Sequence, residues 1–473
     1  MLGLAFTGTA AAERYVVLYD NDAPPSLAES QVRDAGGDVV AGYHAIGVVI
    51  AESSEPGFEG AIEGGSFVEG AAATAAYASP AWGEESAVAS ESSSTGGPVE
   101  DKDTFSPLQW GLDQIHAKEA HAVTGGKRRV LVGVIDTGID ATHPDIDDNL
   151  APRRSVSCVG GAPNRDPAAW ADDSGHGTNV SGIIASEANG IGIVGVAPNV
   201  RFAAIKASVR YGARDVFLPE AVICSFVWAG RNDVDVANSS YSVDSAIVDG
   251  TTRFCDTDAD QAVVIEAVRR AVRFARLRGV SPVASAGNSN EDLVADPCLR
   301  LPSELPGVIT VAATGLLGER ASYSNFGLGI VDVAAPGGAL DQGTPPSGLV
   351  LGPWPAAFQV PRLLCDPLPD PPTDPCPPPD GTERSYYRFA FGTSEAAAHV
   401  SGVAALVISR LGSWIDPPWL ALRPTLVQAL VKKTADPVPC PADPRCESKD
   451  DANGFYGHGI VNALRAVKVQ LED

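Results

Sequence analysis

Residues 130–136 read VLVGVID, a short and continuous run of apolar residues that ends in an acid. Apolar runs of this length are typical of parallel strands that are buried on both faces. The same texture returns at 280–287 (VSPVASAG), directly after residues 259–278, whose apolar residues repeat at helical spacing up to Gly279. Strands that alternate with helices predict an α/β fold in which helices flank both faces of a central parallel sheet.

A smaller unit precedes this region of the chain. RYVVLY (14–19) and YHAIGVVIA (43–51) are predicted strands. Between them, residues 27–35 are predicted to form a short helix that stops at Gly36-Gly37. Together these elements predict a small α+β module.

Changes in composition give the predicted domain boundaries. Residues 1–12 are small and apolar and end in an A-x-A-like triplet, which is typical of a signal-peptide remnant. The α+β module is expected over 13–78, and the Ala, Ser, Glu and Gly-rich stretch 79–105 is expected to be an exposed linker. A large catalytic domain is expected over 106–473. Its segment 345–385 contains many prolines, so we expect an irregular surface insertion there.

The net charge of the chain argues against two classes of binding partner. The sequence has 34 basic and 59 acidic side chains, which gives a formal net charge of −25. Such a surface repels nucleic acids and anionic membranes, so neither is an expected partner. No apolar run reaches the length of a membrane-spanning helix.

The eight cysteines favour a secreted protein, although eight free thiols in a cytosolic protein are the alternative. Cys365 with Cys376, and Cys440 with Cys446, enclose short Pro-rich loops, so we predict a disulfide bond within each pair. The other four are expected to pair among themselves: Cys158, Cys224, Cys255 and Cys298.

Three segments supply an acid, a base and a nucleophile. Asp136 ends the strand VLVGVID, His176 begins an apolar helix in DDSGHGTNVSGIIA, and Ser394 begins another in FGTSEAAAHVSGVAAL. Serine becomes a good nucleophile only when an imidazole takes its proton, and a carboxylate orients that imidazole. Each residue alone is more often a helix cap, a turn residue or a structural histidine, so the prediction rests on the combination.

The combination and its order resemble the subtilisin-like serine peptidases. The similarity extends over most of 106–465 through further motifs: QWGLDQI (109–115), GIGIVGVAP (190–198), SAGN (285–288), SYSNFG (322–327), AAPGG (334–338) and YGHGIVNA (456–463). The resemblance implies the three-layer fold of that family and a serine endopeptidase made as a zymogen. It also implies that the N-terminal module is a propeptide that inhibits its own catalytic domain, and that Asn288 stabilises the oxyanion.

The same resemblance implies a structural Ca²⁺ site. Its ligands would be the side chains of Asp145 and Asn189 and three backbone carbonyl groups, those of Glu187, Ile191 and Ile193. Ser106 stands where the family often has a glutamine ligand, and a cation-free loop is the alternative.

The resemblance also implies which segments bind substrate. On one side of the cleft these are Ser240, Tyr241 and Ser242, where Tyr241 is expected to narrow an outer subsite. On the other side they are Ser285, Ala286 and Gly287. After the nucleophile, Glu395 and Ala398 replace the methionine and proline that are common in the family.

Three functions are compatible with these features. A secreted monomer that degrades proteins and peptides broadly is the first. A processing protease of narrow specificity is the second, suggested by Tyr241 and by the acids Asp233 and Asp235 near the predicted cleft strand. A catalytically silent, calcium-stabilised binding protein on the same fold is the third.

Overall fold

The computed structural model describes most of the chain, and all statements below concern that part. The described residues are 12–20, 22–74, 80–81, 102–211, 214–243, 253–295, 297–339, 348–355, 387–412 and 421–470.

The N-terminal module is a four-stranded antiparallel sheet with two helices. Along the chain its elements are β1 (Glu13–Tyr19), α1 (Pro25–Asp34), β2 (Asp38–Tyr43), β3 (Val48–Ser53), α2 (Phe58–Glu63) and β4 (Val68–Ala73). The strand order is β2-β3-β1-β4. The predictions of β1 and α1 are confirmed. The single strand predicted over 43–51 is wrong, because Gly47 takes a left-handed conformation (φ 63°) after the turn His44–Ile46 and separates β2 from β3.

A parallel sheet forms the centre of the large domain, which confirms the predicted α/β fold. Its strands are β6 (Leu131–Asp136), β7 (Val156–Ser157), β8 (Arg201–Lys206), β11 (Val236–Ser239), β12 (Ser281–Ser285), β13 (Ile309–Thr314) and β14 (Val333–Pro336). Their order in the sheet is β14-β13-β12-β11-β6-β8-β7, and every pairing between neighbouring strands is parallel. All residues of β6, β11 and β12 are buried, as their apolar sequences predict.

Helices cover both faces of this sheet. The bounds are α3 (Trp110–Gln114), α4 (Ala117–His121), α5 (His176–Ala185), α6 (Pro219–Arg231), α7 (Ala259–Leu277), α8 (Thr393–Leu411), α9 (Pro424–Thr434) and α10 (Ala463–Lys468). One apolar core packs α4, α5, α8, α9 and α10 against one face. A second core packs α6 and α7 against the other face and extends into the N-terminal module.

Short antiparallel strands surround the central sheet. They are β5 (Pro80–Ala81), β9 (Ser208–Tyr211), β10 (Arg214–Phe217), β15 (Val350–Pro353), β16 (Tyr387–Ala390), β17 (Ser448–Lys449) and β18 (Ala452–Asn453). Two of them correct the sequence analysis. β15 is a buried strand paired with β16 inside the segment predicted to be irregular, and β5 is a strand inside the predicted linker. In both cases a backbone partner that is distant in sequence decides the conformation.

The N-terminal module docks on α6 and α7 through both apolar and polar contacts. Arg270 on α7 donates to the carbonyl oxygen of Tyr19 (2.8 Å) and pairs with Glu69 (2.5 Å). The Tyr43 hydroxyl donates to the carbonyl oxygen of Gly161 (2.6 Å), and Arg14 donates to that of Gly160. The module is therefore held along its whole sheet and not only by its connection in sequence.

Three of the predicted disulfide bonds lie among the described residues. Cys440–Cys446 is present, which confirms that local pair, and the remaining four cysteines pair as Cys158–Cys224 and Cys255–Cys298. Cys365 and Cys376 lie outside the described residues.

The disulfide bonds should differ in their effect on stability. Cys158–Cys224 closes a loop of 66 residues and Cys440–Cys446 a loop of six. Loop-closure entropy predicts that replacing the first pair by alanine lowers the free energy of unfolding by about 4 kcal/mol, and the second pair by about 2 kcal/mol. Urea denaturation of the two double variants measures the difference. An equal loss in both would show that loop length does not control their contribution.

Candidate active site

Several strands of the parallel sheet end at one edge, and their last residues build a common site. Asp136 ends β6, Ser239 ends β11 and Ser285 ends β12, and these three strands are neighbours in the sheet. Because the strands are parallel, the segments that follow all three lie on the same side. The first residues of α5 and α8 complete the site at this edge.

Asp136 and His176 form the predicted pair. Asp136 Oδ1 lies 2.7 Å from His176 Nδ1 and also accepts from the backbone N–H of Thr137 at 2.8 Å. Asp136 is completely buried, whereas His176 is 8% exposed. The hydrogen bond through Nδ1 leaves Nε2 as the ring atom that faces other groups.

Asp172 fixes the helix that carries His176, and the sequence analysis did not identify it. Its Oδ1 accepts from the Thr137 hydroxyl (2.8 Å) and its Oδ2 from the Thr178 hydroxyl (2.5 Å). It also accepts from the backbone N–H groups of Ser174, Gly175 and Thr178. The sequence does contain a signal for this role of Asp172. It lies four residues before the predicted helix that begins at His176, and carboxylates are favoured near helix N-termini.

Ser394 lies in the first turn of α8, opposite the end of β11. Its hydroxyl donates to the carbonyl oxygen of Ser240 (2.9 Å), and the Ser240 hydroxyl donates to the carbonyl oxygen of Ser394 (2.9 Å). Asn238 donates to the Ser240 hydroxyl and accepts from Ser401, so buried polar groups connect β11 to α8. Ser394 is 9% exposed, at the boundary of the cleft.

Asn288 lies beside Ser394 with a fixed amide orientation. Its Oδ1 accepts from the Thr393 backbone N–H (2.9 Å) and from the Thr393 hydroxyl (2.7 Å). The Nδ2 atom therefore points away from Thr393, and it lies 3.2 Å from the position that a Cβ atom on Gly392 would take. A donor in this place could stabilise negative charge that develops next to Ser394.

The residues predicted to bind substrate follow two neighbouring strands of the sheet, β11 and β12. Ser240, Tyr241 and Ser242 continue from β11, and Ser285, Ala286 and Gly287 end β12 and continue from it. Tyr241 is buried and stacks on Phe217, with ring centroids 4.2 Å apart and an interplanar angle of 4°. Whether Tyr241 narrows an outer subsite stays a prediction.

Two acids that were expected near the cleft lie elsewhere. Asp235 Oδ2 accepts from the backbone N–H of Leu131 at the start of β6, and Asp233 pairs with Arg154 (2.7 Å). Both acids precede β11, whereas the candidate site follows it. The expectation that they influence the cleft was wrong, because a parallel strand separates its two ends by its whole length.

Glu395 is a buried acid next to the nucleophile. It is 2% exposed, and its Oε2 atom has no hydrogen-bond partner among the described residues. Oε2 lies 2.9 Å from the position of a Cβ atom on Gly392, so the carboxyl group faces the same space as Asn288 Nδ2. Burial raises the pKa of Glu395 to about 7, although the positive charges of His176 and Arg388 oppose the shift.

The acids around His176 control its protonation. Burial alone would lower the pKa of His176, but the hydrogen bond and charge of Asp136 outweigh burial. Glu395 and Asp215 add to this effect, and the pKa of His176 rises to about 9. Asp215 on β10 lies near His176 because its carboxylate accepts a hydrogen bond from the Ser174 hydroxyl (2.5 Å), and Ser174 lies two residues before His176.

The loop predicted to bind Ca²⁺ has features that fit a cation. Asp145 is fully buried, and its Oδ1 atom has no hydrogen-bond partner among the described residues. Its Oδ2 accepts from Ile193 N–H (3.1 Å) and from the Tyr387 hydroxyl (2.9 Å). No backbone–backbone hydrogen bond between described residues uses the carbonyl oxygens of Glu187, Ile191 or Ile193. Carboxylate and backbone carbonyl oxygens of this kind are the donors that Ca²⁺ prefers.

Asp103 also contacts this loop, and it lies three residues before Ser106, which stands where the family often has a glutamine ligand. Its Oδ1 accepts from the backbone N–H groups of Asn189 (3.1 Å) and Gly190 (2.6 Å). Burial raises the pKa of Asp145 well above its usual value, and the nearby carboxylates of Asp103 and Glu187 raise it further. Within the described residues, no group of three His, Cys, Asp or Glu side chains could bind a metal ion. A cation would therefore depend mainly on backbone oxygens.

Comparison with known proteins gives consistent matches over the large domain. A model of the subtilase family matches residues 127–459. M-protease of Shouchella clausii is 31% identical over 363 residues, which cover 76% of this chain and 70% of that protein. Subtilisin Savinase of Lederbergia lenta is 29% identical over 363 residues, which cover 76% of this chain and 99% of that protein.

Among solved structures, the chain shares its fold with the epidermin leader peptide processing serine protease of Staphylococcus aureus. The TM-score is 0.69 at 20% identity, with 98% of this chain and 100% of that chain covered.

Replacing Glu395 by glutamine should lower the pKa of His176, because one of the negative charges that favour the imidazolium disappears. The pH dependence of labelling by a serine-reactive fluorophosphonate reports the neutral imidazole, so its acid limb should move to lower pH. Asp215→Asn provides a second variant with the same expected direction, since Asp215 also raises the pKa of His176. An unchanged acid limb in both variants would show that these acids do not influence His176.

Proposed function

The chain belongs to the subtilase family and is a serine endopeptidase, and we propose that Asp136, His176 and Ser394 are its catalytic triad. The observation that carries this proposal is the 2.7 Å contact between Asp136 and His176 at the sheet edge where α8 presents Ser394. An intact triad also argues against a catalytically silent binding protein.

In the proposed reaction, Ser394 attacks the carbonyl carbon of the scissile peptide bond. The hydroxyl must first exchange its hydrogen bond to Ser240 for one to His176 Nε2, which then accepts the proton. The imidazolium afterwards donates this proton to the leaving amine. Water attacks the acyl-enzyme in a second cycle of the same proton transfers.

Asp136 and Asn288 stabilise the charges that form in these steps. The buried Asp136 carboxylate keeps the proton on Nδ1 and favours the imidazolium. Asn288 Nδ2 and the backbone N–H of Ser394 would bind the oxyanion, and the N-terminus of the 19-residue helix α8 adds a favourable field. Thr393 positions Asn288 through two hydrogen bonds, so little reorganisation is required.

We also propose that the protein is a zymogen whose N-terminal module, 13–78, inhibits it. Pro80–Ala81, which follow the module, pair antiparallel with Val216 and Asp215 of β10. Asp215 binds Ser174 near His176, so the chain runs toward the triad as it passes from Pro80 to Ala81. A strand paired in this way occupies the place of a substrate peptide.

Secretion and a monomeric state complete the proposal. The bonds Cys158–Cys224, Cys255–Cys298 and Cys440–Cys446 support an oxidising compartment, as does the apolar N-terminal sequence. No helix among the described residues is long and apolar enough to cross a membrane. The substrates would be proteins and peptides outside the cell.

A structural Ca²⁺ ion belongs to the same proposal. Asp145, Asn189 and the carbonyl groups of Glu187, Ile191 and Ile193 would hold it, and Asp103 would add negative charge nearby. The ion would stabilise the loop after α5 and would take no part in catalysis.

Self-processing is the first test of this function. Wild-type protein should lose its N-terminal module, with a new N-terminus between residues 82 and 106, because Ala81 already lies beside the cleft. Ser394→Ala should stay full length, since it lacks the nucleophile. Mass spectrometry and N-terminal sequencing of both purified proteins measure this.

The same two samples provide the control. Both should show the same circular dichroism spectrum, and only wild type should react with the fluorophosphonate label. Removal of the module from pure Ser394→Ala at the same bond would contradict self-processing.

Calcium removal is the second test. A ligand that binds only the folded state stabilises it by about 2.7 kcal/mol when its free concentration is about 100-fold above Kd, so EDTA should lower the melting temperature. Asp145→Asn should abolish this response, because it weakens the one fully buried carboxylate ligand. Asp147→Asn, an exposed acid in the same turn, should keep it. Equal melting curves with and without EDTA in wild type would refute the site.

A further inference from the structure

The residue on the acyl side of the scissile bond must fit between two segments of the cleft. Its carbonyl group has to reach Ser394 and Asn288 at the same time. Ser394 bonds to Ser240 on one side, and Asn288 directly follows Gly287 on the other. The side chain of this substrate residue therefore enters the space between 240–242 and 285–287, the primary pocket.

Arg300 lies close to the segments on both sides of the primary pocket. Its neighbour Leu301 pairs with Val243, directly after Ser242, through a hydrogen bond from Val243 N–H to the Leu301 carbonyl (2.7 Å). On the other side, Arg300 Cδ lies 3.7 Å from the position that a Cβ atom on Gly287 would take. Arg300 therefore lies beside Gly287 and next to the residue that pairs with the other segment, and it is only 3% exposed.

A glutamate at the edge of the pocket binds this guanidinium. Arg300 Nη2 donates to Glu291 Oε2, and Glu291 lies three residues after Asn288. The two partners differ in exposure, with side chains 3% exposed for Arg300 and 39% exposed for Glu291. Glu291 can therefore return to water at a small cost, whereas the Arg300 side chain would stay inside the protein.

We propose that Arg300 selects acidic residues on the acyl side of the scissile bond. In the absence of substrate, the Glu291 carboxylate occupies the position that the substrate carboxylate takes on Arg300. This inference rests on the proposed protease function and deepens it. An incoming glutamate side chain displaces Glu291 to solvent and accepts from the buried guanidinium, in a charge-assisted hydrogen bond that water does not screen. An uncharged side chain offers no replacement for Glu291, and a basic one is repelled by Arg300.

The protein's own sequence contains substrates of this class. The chain that follows Ala81 reads Trp82-Gly83-Glu84-Glu85-Ser86. Cleavage after Glu84 or Glu85, the acids nearest to Ala81, would place the mature N-terminus at Glu85 or Ser86. A mature N-terminus at Gly83, after the aromatic Trp82, would contradict the inference even though self-processing itself had occurred.

Quenched fluorescent peptides that differ only at the acyl-side residue test the preference directly. A charge-assisted hydrogen bond to a buried guanidinium predicts that kcat/KM is about 10–100-fold higher for Glu than for its isostere Gln. Arg300→Gln should bring this ratio to about one, and Arg300→Lys should retain part of it. Glu291→Gln should increase kcat/KM for the Glu peptide, because a competing carboxylate is removed.

Lys432→Gln is the control for the loss of an ion pair, because Lys432 on α9 pairs with Asp332 (2.5 Å) directly before β14, at the sheet edge opposite the candidate site. This variant should lose stability, but its Glu-to-Gln ratio should stay that of wild type. The inference is wrong if wild type cleaves the Gln, Phe or Lys peptide faster than the Glu peptide, or if Arg300→Gln keeps the ratio. Failure of wild type to cleave any peptide or to react with the fluorophosphonate would instead refute the proposed function.

Discussion

A charged carboxylate with no exposure to water, Asp136, is the constraint on which the site depends. Removing a carboxylate from water is costly unless hydrogen bonds and an opposite charge compensate it. Here the compensation comes from the backbone N–H of Thr137 and from His176, and the contact with His176 requires that the end of β6 and the start of α5 keep their relative positions. Asp172 holds these two segments together, because it accepts hydrogen bonds from Thr137 on one and Thr178 on the other.

The electrostatics of the site follow from how many acids surround one imidazole. Asp136 stabilises the imidazolium that the reaction needs, but Glu395 and Asp215 act in the same direction and favour it before the reaction starts. Burial raises the pKa of Glu395 to about 7, below the pKa of about 9 for His176. The Glu395 carboxylate is therefore charged at the pH where the His176 imidazolium loses its proton.

The N-terminal module and the cleft are connected through the same elements. The module rests on α6 and α7, and the chain that leaves it pairs with β10, the strand that also carries Asp215. Phe217, the last residue of β10, stacks on Tyr241, so the strand that pairs with Pro80–Ala81 also contacts the segment that follows β11. Polar contacts such as that of Arg270 with Tyr19 fix the orientation of the module, and an apolar core joins the module to α6 and α7.

The amino-acid sequence was enough to predict the parallel sheet, because VLVGVID and VSPVASAG are short, largely apolar segments that alternate with helical spacing. Its motifs resemble those of the subtilases, and through this resemblance it also proposed Asp136, His176, Ser394 and Asn288 as site residues. Other features depend on the folded chain. Asp172 and Asp103 bind groups that are distant in sequence, while β5 and β15 became strands only because β10 and β16 offered hydrogen-bonding edges. Local patterns report burial and propensity, but such contacts arise only when the chain brings separate segments together.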